Sequence, residues 1–140
     1  MVAKFVFLRQ NAAIYVFLIK TPMLKIGVLG AGHLGKIHLR LLDRSHKYDL
    51  VGFYDPDKNN AKKVRDELGH RYFDNMDDLM DAVDVVDIVT PTLSHFECAK
   101  LAMDKKKHVF IEKPVTNTVE EADEVLRFQS ANGVKCKVGH

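Results

Sequence analysis

Apolar residues in this chain fall into short unbroken runs, and the stretches between them show helical spacing. The runs are residues 25–30 (KIGVLG), 50–54 (LVGFY), 85–89 (VVDIV) and 108–111 (HVFI), and residues 134–138 (VKCKV), where lysines alternate with apolar residues, read as a final strand. Short, mostly apolar runs with little alternation are the pattern of strands buried on both faces. Between them, Leu34, Ile37 and Leu41 recur at helical spacing, as do Ala61, Val64 and Leu68. Each triplet predicts a helix. Gly69 stands where a C′ glycine would end the second helix. Residues 75–83 predict a short helix with Leu79 and Val83 inward. Two capping boxes are legible. Ser94 with Glu97 predicts the start of a helix over 94–103. Thr118 with Glu121 predicts another, with Val119, Ala122 and Leu126 inward and Gly133 at its end. Strands alternating with helices of about ten residues predict an α/β fold, a doubly wound parallel sheet of about six strands.

Residues 1–22 break this pattern. Their longest apolar run, residues 12–19, is eight long, and a membrane-spanning helix needs about 20. Arg9, Gln10 and Asn11 split the apolar core, and Lys20-Thr21-Pro22 is a poor cleavage site for a signal peptide. Met23 stands directly before the first clear strand. The preferred reading is a leader of upstream sequence read through, with the natural start at Met23. An interfacial or transient anchor and an additional structural element are the alternatives. The expected domain is then residues 23–140.

Composition narrows the function classes. The 140 residues amount to about one domain. With 46% hydrophobic and 29% charged residues, the chain is globular in type. The net charge of +2 resolves into +3 on the leader and −1 on the rest, so nucleic-acid binding has no electrostatic basis in the body. No membrane partner is expected either. Cys98 and Cys136 lie 38 positions apart without a CxxC. That is neither a disulfide framework nor a zinc pattern, so no metal is expected and a cytoplasmic location is. The run Lys105-Lys106-Lys107 reads as a solvated turn after a helix.

The sharpest chemistry lies at the first strand–helix turn. Gly30-Ala31-Gly32-His33-Leu34-Gly35 matches GxGxxG, follows a strand and opens a helix. That context is what makes the string a dinucleotide-binding, or Rossmann, signal. Gly30 would permit the tight turn, Gly32 the approach of a pyrophosphate, and Gly35 close helix–strand packing. Asp55, 20 positions after Gly35, can accept hydrogen bonds from an adenosine ribose and would repel a 2′-phosphate, which favours NAD over NADP. The Asp55-Pro56-Asp57 sequence is equally good turn chemistry. Thr90-Pro91-Thr92 ends a later strand, with His95 one turn on. His95 alone reads more readily as a satisfied surface or cap residue than as a cofactor contact. Glu112-Lys113-Pro114 follows the next strand on the same rim. A lysine fixed there can neutralise developing oxyanion charge or bond a substrate hydroxyl.

The order GAGHLG, YD, TPTLSH, EKP and a closing VGH resembles the Gfo/Idh/MocA oxidoreductases over residues 23–140. The EKP tripeptide in this place is the most specific part. The resemblance implies that Gly30, Gly32 and Gly35, with the His33 and Leu34 amides, hold the pyrophosphate. It implies Asp55 at the adenosine ribose, and Thr90, Pro91 and His95 on the nicotinamide side. Glu112 would sit beside the nicotinamide ribose, with Lys113 reaching the substrate as the catalytic candidate. The implied reaction is hydride transfer between NAD and a sugar- or cyclitol-like carbon. Members of that family continue past the VGH strand into a substrate domain that supplies acid/base groups and usually a homo-oligomer interface. The expectation is therefore the cofactor half of an oxidoreductase, inactive without its second domain. The alternative is a stand-alone dinucleotide-binding or NAD-sensing module without catalysis.

Overall fold

The computed structural model describes residues 3–10, 13–20 and 22–139. Strands β1 (Ala3–Gln10) and β2 (Ala13–Lys20) pair antiparallel, with Ala3 opposite Lys20. This ribbon is separate from the main sheet.

The main sheet has five parallel strands in the order β4 (Tyr48–Tyr54), β3 (Leu24–Leu29), β5 (Val85–Ile88), β6 (His108–Ile111) and β7 (Cys136–Val138). β5 is buried along its whole length, as its apolar run predicts for a central strand. The expected count of about six falls to five. Beyond β4, Tyr72 makes one parallel bridge to Phe53. Phe53 N–H donates to Arg71 O, and Phe73 N–H donates to Phe53 O, both at 2.9 Å. The pairing ends there because Asn75 caps α3 (Met76–Asp81) two residues later.

Helices cover both faces. α1 (His33–Asp43) and α2 (Lys58–Leu68) enclose Val28, Leu39, Phe53, Ala61 and Val64 on one side. α3, α4 (His95–Asp104) and α5 (Val119–Asn132) enclose Leu29, Leu79, Val86, Ile88, Met103, Val109 and Val125 on the other. Leu79 and Val83 are buried as expected.

The apolar stripe of α1 lies outside, and the predicted inward face of α5 is corrected. On α1, Leu34, Ile37 and Leu41 are exposed, Leu41 by 62%, while Gly35 and Leu39 are buried. Gly35 must face the sheet at close range, and this rotates the helix so that 35, 39 and 42 point inward. On α5, Val119 and Leu126 are exposed, and Val125 is the buried residue. Phe128 packs beside it.

The caps divide similarly. Glu121 N–H donates to Thr118 Oγ1 at 3.2 Å and Thr118 N–H donates to Glu121 Oε2 at 3.4 Å, which is a complete capping box. Gly69 and Gly133 end α2 and α5 with φ of 75° and 64°. Ser94, in contrast, makes no side-chain cap. A 3-10 turn over Thr92–Ser94 runs directly into α4 and leaves Ser94 helical (φ −97°, ψ −8°), and a side-chain N-cap requires extended backbone.

Candidate functional site

The strand order reverses between β3 and β5. From β3 the chain moves outward to β4, and from β5 it moves the other way to β6 and β7. The carboxyl ends of two such strands open onto the crevice where open α/β sheets bind ligands. Gly30 ends β3 there with φ +95°, a conformation that favours glycine. A Cβ on Gly30 would lie 2.7 Å from Val89 O, and one on Gly35 would collide with Gly30 O. Gly32 is different, because a Cβ there would meet nothing within 4 Å. Two of the three glycines are needed by the chain itself, while the third faces open space.

That space is a cleft of about 460 Å³. Eight of the eleven sequence candidates line it: Gly30, Gly32, His33, Leu34, Gly35, Asp55, Thr90 and Pro91. Gly32 caps α1 without a side-chain hydrogen bond, and the first turn of α1 holds no acid. The terminal N–H groups and the positive end of the helix dipole are therefore available to an anion. A second cavity of about 550 Å³ shares Pro56, Thr90 and Ser94 with the first and is walled largely by Met76, Leu93, Cys98 and Leu101. Burial pushes the Cys98 thiol up, so it packs as a neutral apolar group.

Asp55 is 8% exposed at the end of β4. Its Oδ2 accepts from Ala31 N–H at 2.7 Å and its Oδ1 from Asp57 N–H at 2.9 Å. Asn60 Nδ2 donates to Ala31 O at 3.0 Å and lies 3.4 Å from Asp55 Oδ2. The carboxylate thus ties the glycine turn to the start of α2. Oδ2 accepts from both Ala31 and Asn60, so of the roughly four acceptor positions of a carboxylate the free one lies on Oδ1.

His95 is not on the cleft wall. It is 2% exposed, with Nδ1 2.8 Å from Pro114 O and Nε2 2.8 Å from Thr90 O. It is satisfied, as expected, but buried and not at the surface. It ties the rim after β5 to the rim after β6, where the Lys113–Pro114 peptide is cis. Thr90 Oγ1 is buried at the cleft without a hydrogen-bond partner.

Glu112 and Lys113 follow β6 on the same rim but outside the cleft lining. Lys113 is exposed. The Glu112 carboxylate turns the other way: Oε1 lies 3.1 Å from His38 Nε2, and Oε2 accepts from Lys113 N–H at 3.2 Å. His38 Nδ1 lies 2.8 Å from Asp87 Oδ2. The hydrogen bond to Asp87, aided by Glu112, holds the His38 imidazole above its ordinary range against the opposing effect of burial. Burial raises the Asp87 carboxyl against the pull of His38. Sequence reading missed His38 and Asp87. Their signals were an acid inside the apolar run VVDIV and a histidine three residues past Gly35.

The residues present fit a dinucleotide. The open space before Gly32 and the unblocked start of α1 face one cleft, and Thr90 stands at its border with the second cavity. Comparison with known proteins agrees. Residues 24–140 match the GFO_IDH_MocA family model, described as an oxidoreductase family with an NAD-binding Rossmann fold. The chain is 38% identical over 100 residues to glucose-6-phosphate 3-dehydrogenase of Bacillus subtilis, covering 71% of this chain and 29% of that one. It is 38% identical over 121 residues to UDP-N-acetylglucosamine 3-dehydrogenase of Acidithiobacillus ferrooxidans, covering 84% and 37%. A solved structure of the latter superposes with a TM-score of 0.80, at 37% identity, over 86% of this chain and 39% of that one. Apo scyllo-inositol dehydrogenase of Lactobacillus casei superposes with a TM-score of 0.77, at 27% identity, over 86% and 37%. The chain therefore spans well under half the length of these relatives.

Proposed function

The chain belongs to the Gfo/Idh/MocA oxidoreductase family, and on that premise we propose that its NAD-binding Rossmann domain serves hydride transfer to or from a sugar- or cyclitol-like substrate. The observation that carries the reading is the contrast among the three glycines that line the cleft, of which only Gly32 leaves open space where a Cβ would stand. The pyrophosphate would rest on the N–H groups of His33 and Leu34 at the start of α1, close to the Gly32 backbone. Asp55 would accept from the adenosine ribose with the remaining lone pair of Oδ1, and its charge would disfavour a 2′-phosphate. Thr90 and Pro91 would border the nicotinamide, whose C4 supplies or takes up the hydride when the cofactor is bound.

Lys113 is the proposed catalytic residue. Its ammonium would hydrogen-bond the substrate oxygen and stabilise charge developing there. His95 and Glu112 support this rim through Pro114 and Lys113 N–H rather than from the cleft wall. Two of the three dehydrogenases named above act on hexose derivatives and the third on a cyclitol, by their names, and this supports the substrate class. The domain is taken as residues 23–140, with 1–22 outside it, because β1 and β2 pair only with each other in the strand order. Turnover is assigned to a full-length, homo-oligomeric, cytoplasmic form. Among the described residues, no helix is long and apolar enough to cross a membrane.

The test is a pair of titrations, with NADH and with NADPH, on the wild-type chain and on Asp55→Ala. Wild type should bind NADH more tightly. The variant should lose about tenfold or more for NADH, on the scale of one charge-assisted hydrogen bond, and discriminate less against NADPH. Equal affinities before and after substitution would remove Asp55 from the site.

A further inference from the structure

We propose that His38, seated on Asp87, is a positioning residue that fixes Glu112 and, through it, the turn that carries Lys113. The proposal rests on the reading of Lys113 as the reacting lysine of this rim.

His38 lies one turn beyond Gly35 on α1 and reaches across the sheet face toward β5 and β6. Asp87 lies within β5 and is paired in register with Phe110 of β6, and Glu112 comes just after β6. One imidazole thus spans carboxylates on neighbouring strands, at 2.8 Å from Asp87 and 3.1 Å from Glu112. Carboxylates only accept, so a ring that bonds both must donate from both nitrogens, and imidazolium alone does so. Asp87 is 3% exposed and its second oxygen, Oδ1, is buried without a hydrogen-bond partner. His38 is therefore the group that compensates a buried carboxylate, and such a cation is held firmly. Lys137 from β7 and Tyr48 from β4 line the same groove as His38 and Asp87.

Glu112 divides its two oxygens between this cluster and the turn. Oε1 faces His38, and Oε2 accepts from Lys113 N–H. Gly139 leaves the space the carboxylate needs, since a Cβ there would stand 3.0 Å from Oε1. On the far side of Lys113, His95 faces the Pro114 carbonyl. The tripeptide is gripped before and after the lysine while the lysine side chain stays exposed. Placement within a fraction of an ångström is what a reacting ammonium requires. Neutral His38 would donate once, so its deprotonation releases one of the two carboxylates. Lysine placement should then follow the protonation of a residue that does not touch the cleft.

The test is NMR of the labelled chain from about pH 5 to about pH 9, with NADH affinity measured in parallel. In wild type the His38 ring should titrate with a midpoint above the ordinary value of about 6.5. The Lys113 and Gly139 amides should move with that same midpoint. In Glu112→Gln the ring should still titrate on Asp87, but the Lys113 amide should stop following it. In His38→Gln the shared step should vanish. A Lys113 amide that keeps the His38 midpoint in Glu112→Gln overturns the proposal, as does a wild-type midpoint below 6.5. Failure of every form to bind NADH, with the shared step intact, would sink the dinucleotide reading and leave the positioning role standing. NADH binding without a shared step would do the reverse.

Discussion

At the scale of the residue, the glycine turn separates what the fold needs from what a ligand needs. Gly30 and Gly35 are in contact with backbone, so a side chain on either forces the turn apart. Gly32 has φ −69° and open space in front of it, so a larger residue there disturbs no packing. Gly32→Val should keep the melting temperature of the wild type within a few degrees, because surface substitutions of this kind cost about 0.5 kcal/mol or less. It should nonetheless lose nucleotide binding, because the new methyls occupy the approach to the α1 amides. Gly35→Ala should lower the melting temperature clearly. Differential scanning fluorimetry with and without NADH reads both effects. The three glycines are legible as a motif in the sequence. Which of them serves the chain and which serves a ligand depends on neighbours such as Val89 O, brought close only by folding. Asp55 shows the same limit. Its spacing from Gly35 marks it as a ribose ligand, but its bonds to Ala31 and Asp57 also make it part of the turn. Both of its sequence readings describe the same carboxylate.

At the scale of the element, strands were more legible than helix faces. The strands announce themselves as apolar runs because this sheet is buried from both sides. A helix face is least legible where the residue that packs is small, as on α1. On α1 the close-packed position is Gly35, which carries no hydrophobic signal, while the visible stripe Leu34, Ile37 and Leu41 lies outside. Leu39→Ala should therefore destabilise by about 2–5 kcal/mol, the usual cost of emptying a buried leucine site. Leu41→Ala should cost about 0.5 kcal/mol or less. Urea unfolding of the pair measures the difference, and equal losses would contradict the observed register. The capping boxes carry the same lesson. Thr118→Ala should cost about 1 kcal/mol. Ser94→Ala should cost almost nothing, because the 3-10 turn before α4 leaves Ser94 without a capping bond.

At the scale of the whole molecule, the cluster of His38, Asp87 and Glu112 links α1, β5 and the rim after β6. Its charge state should be visible in global stability. The His38 pKa is raised in the folded chain, so its contribution is full below the unfolded value of about 6.5 and is lost as pH rises through the folded value. Asp87 is also raised, so its contribution too declines with rising pH, beginning at lower values. Thermal melts of wild type should show stability falling above neutral pH. His38→Gln should flatten that limb and start from a lower melting temperature, since it leaves Asp87 buried without its cation. A limb unchanged by the substitution would detach it from His38. This cluster was the least legible feature in the sequence. Its members lie 49 and 25 positions apart, and nothing local marks them as partners.

The proposed dinucleotide binds where β3 and β5 part. The most direct measurement is the set of backbone amide shifts that change, saturably, when NADH is added to the labelled chain. The predicted shifts cluster at Gly30 through Gly35, at Asp55 and at Thr90, with little change around Leu41 and Phe110 on the remote groove. No saturable change, or changes centred on that groove, would contradict the account.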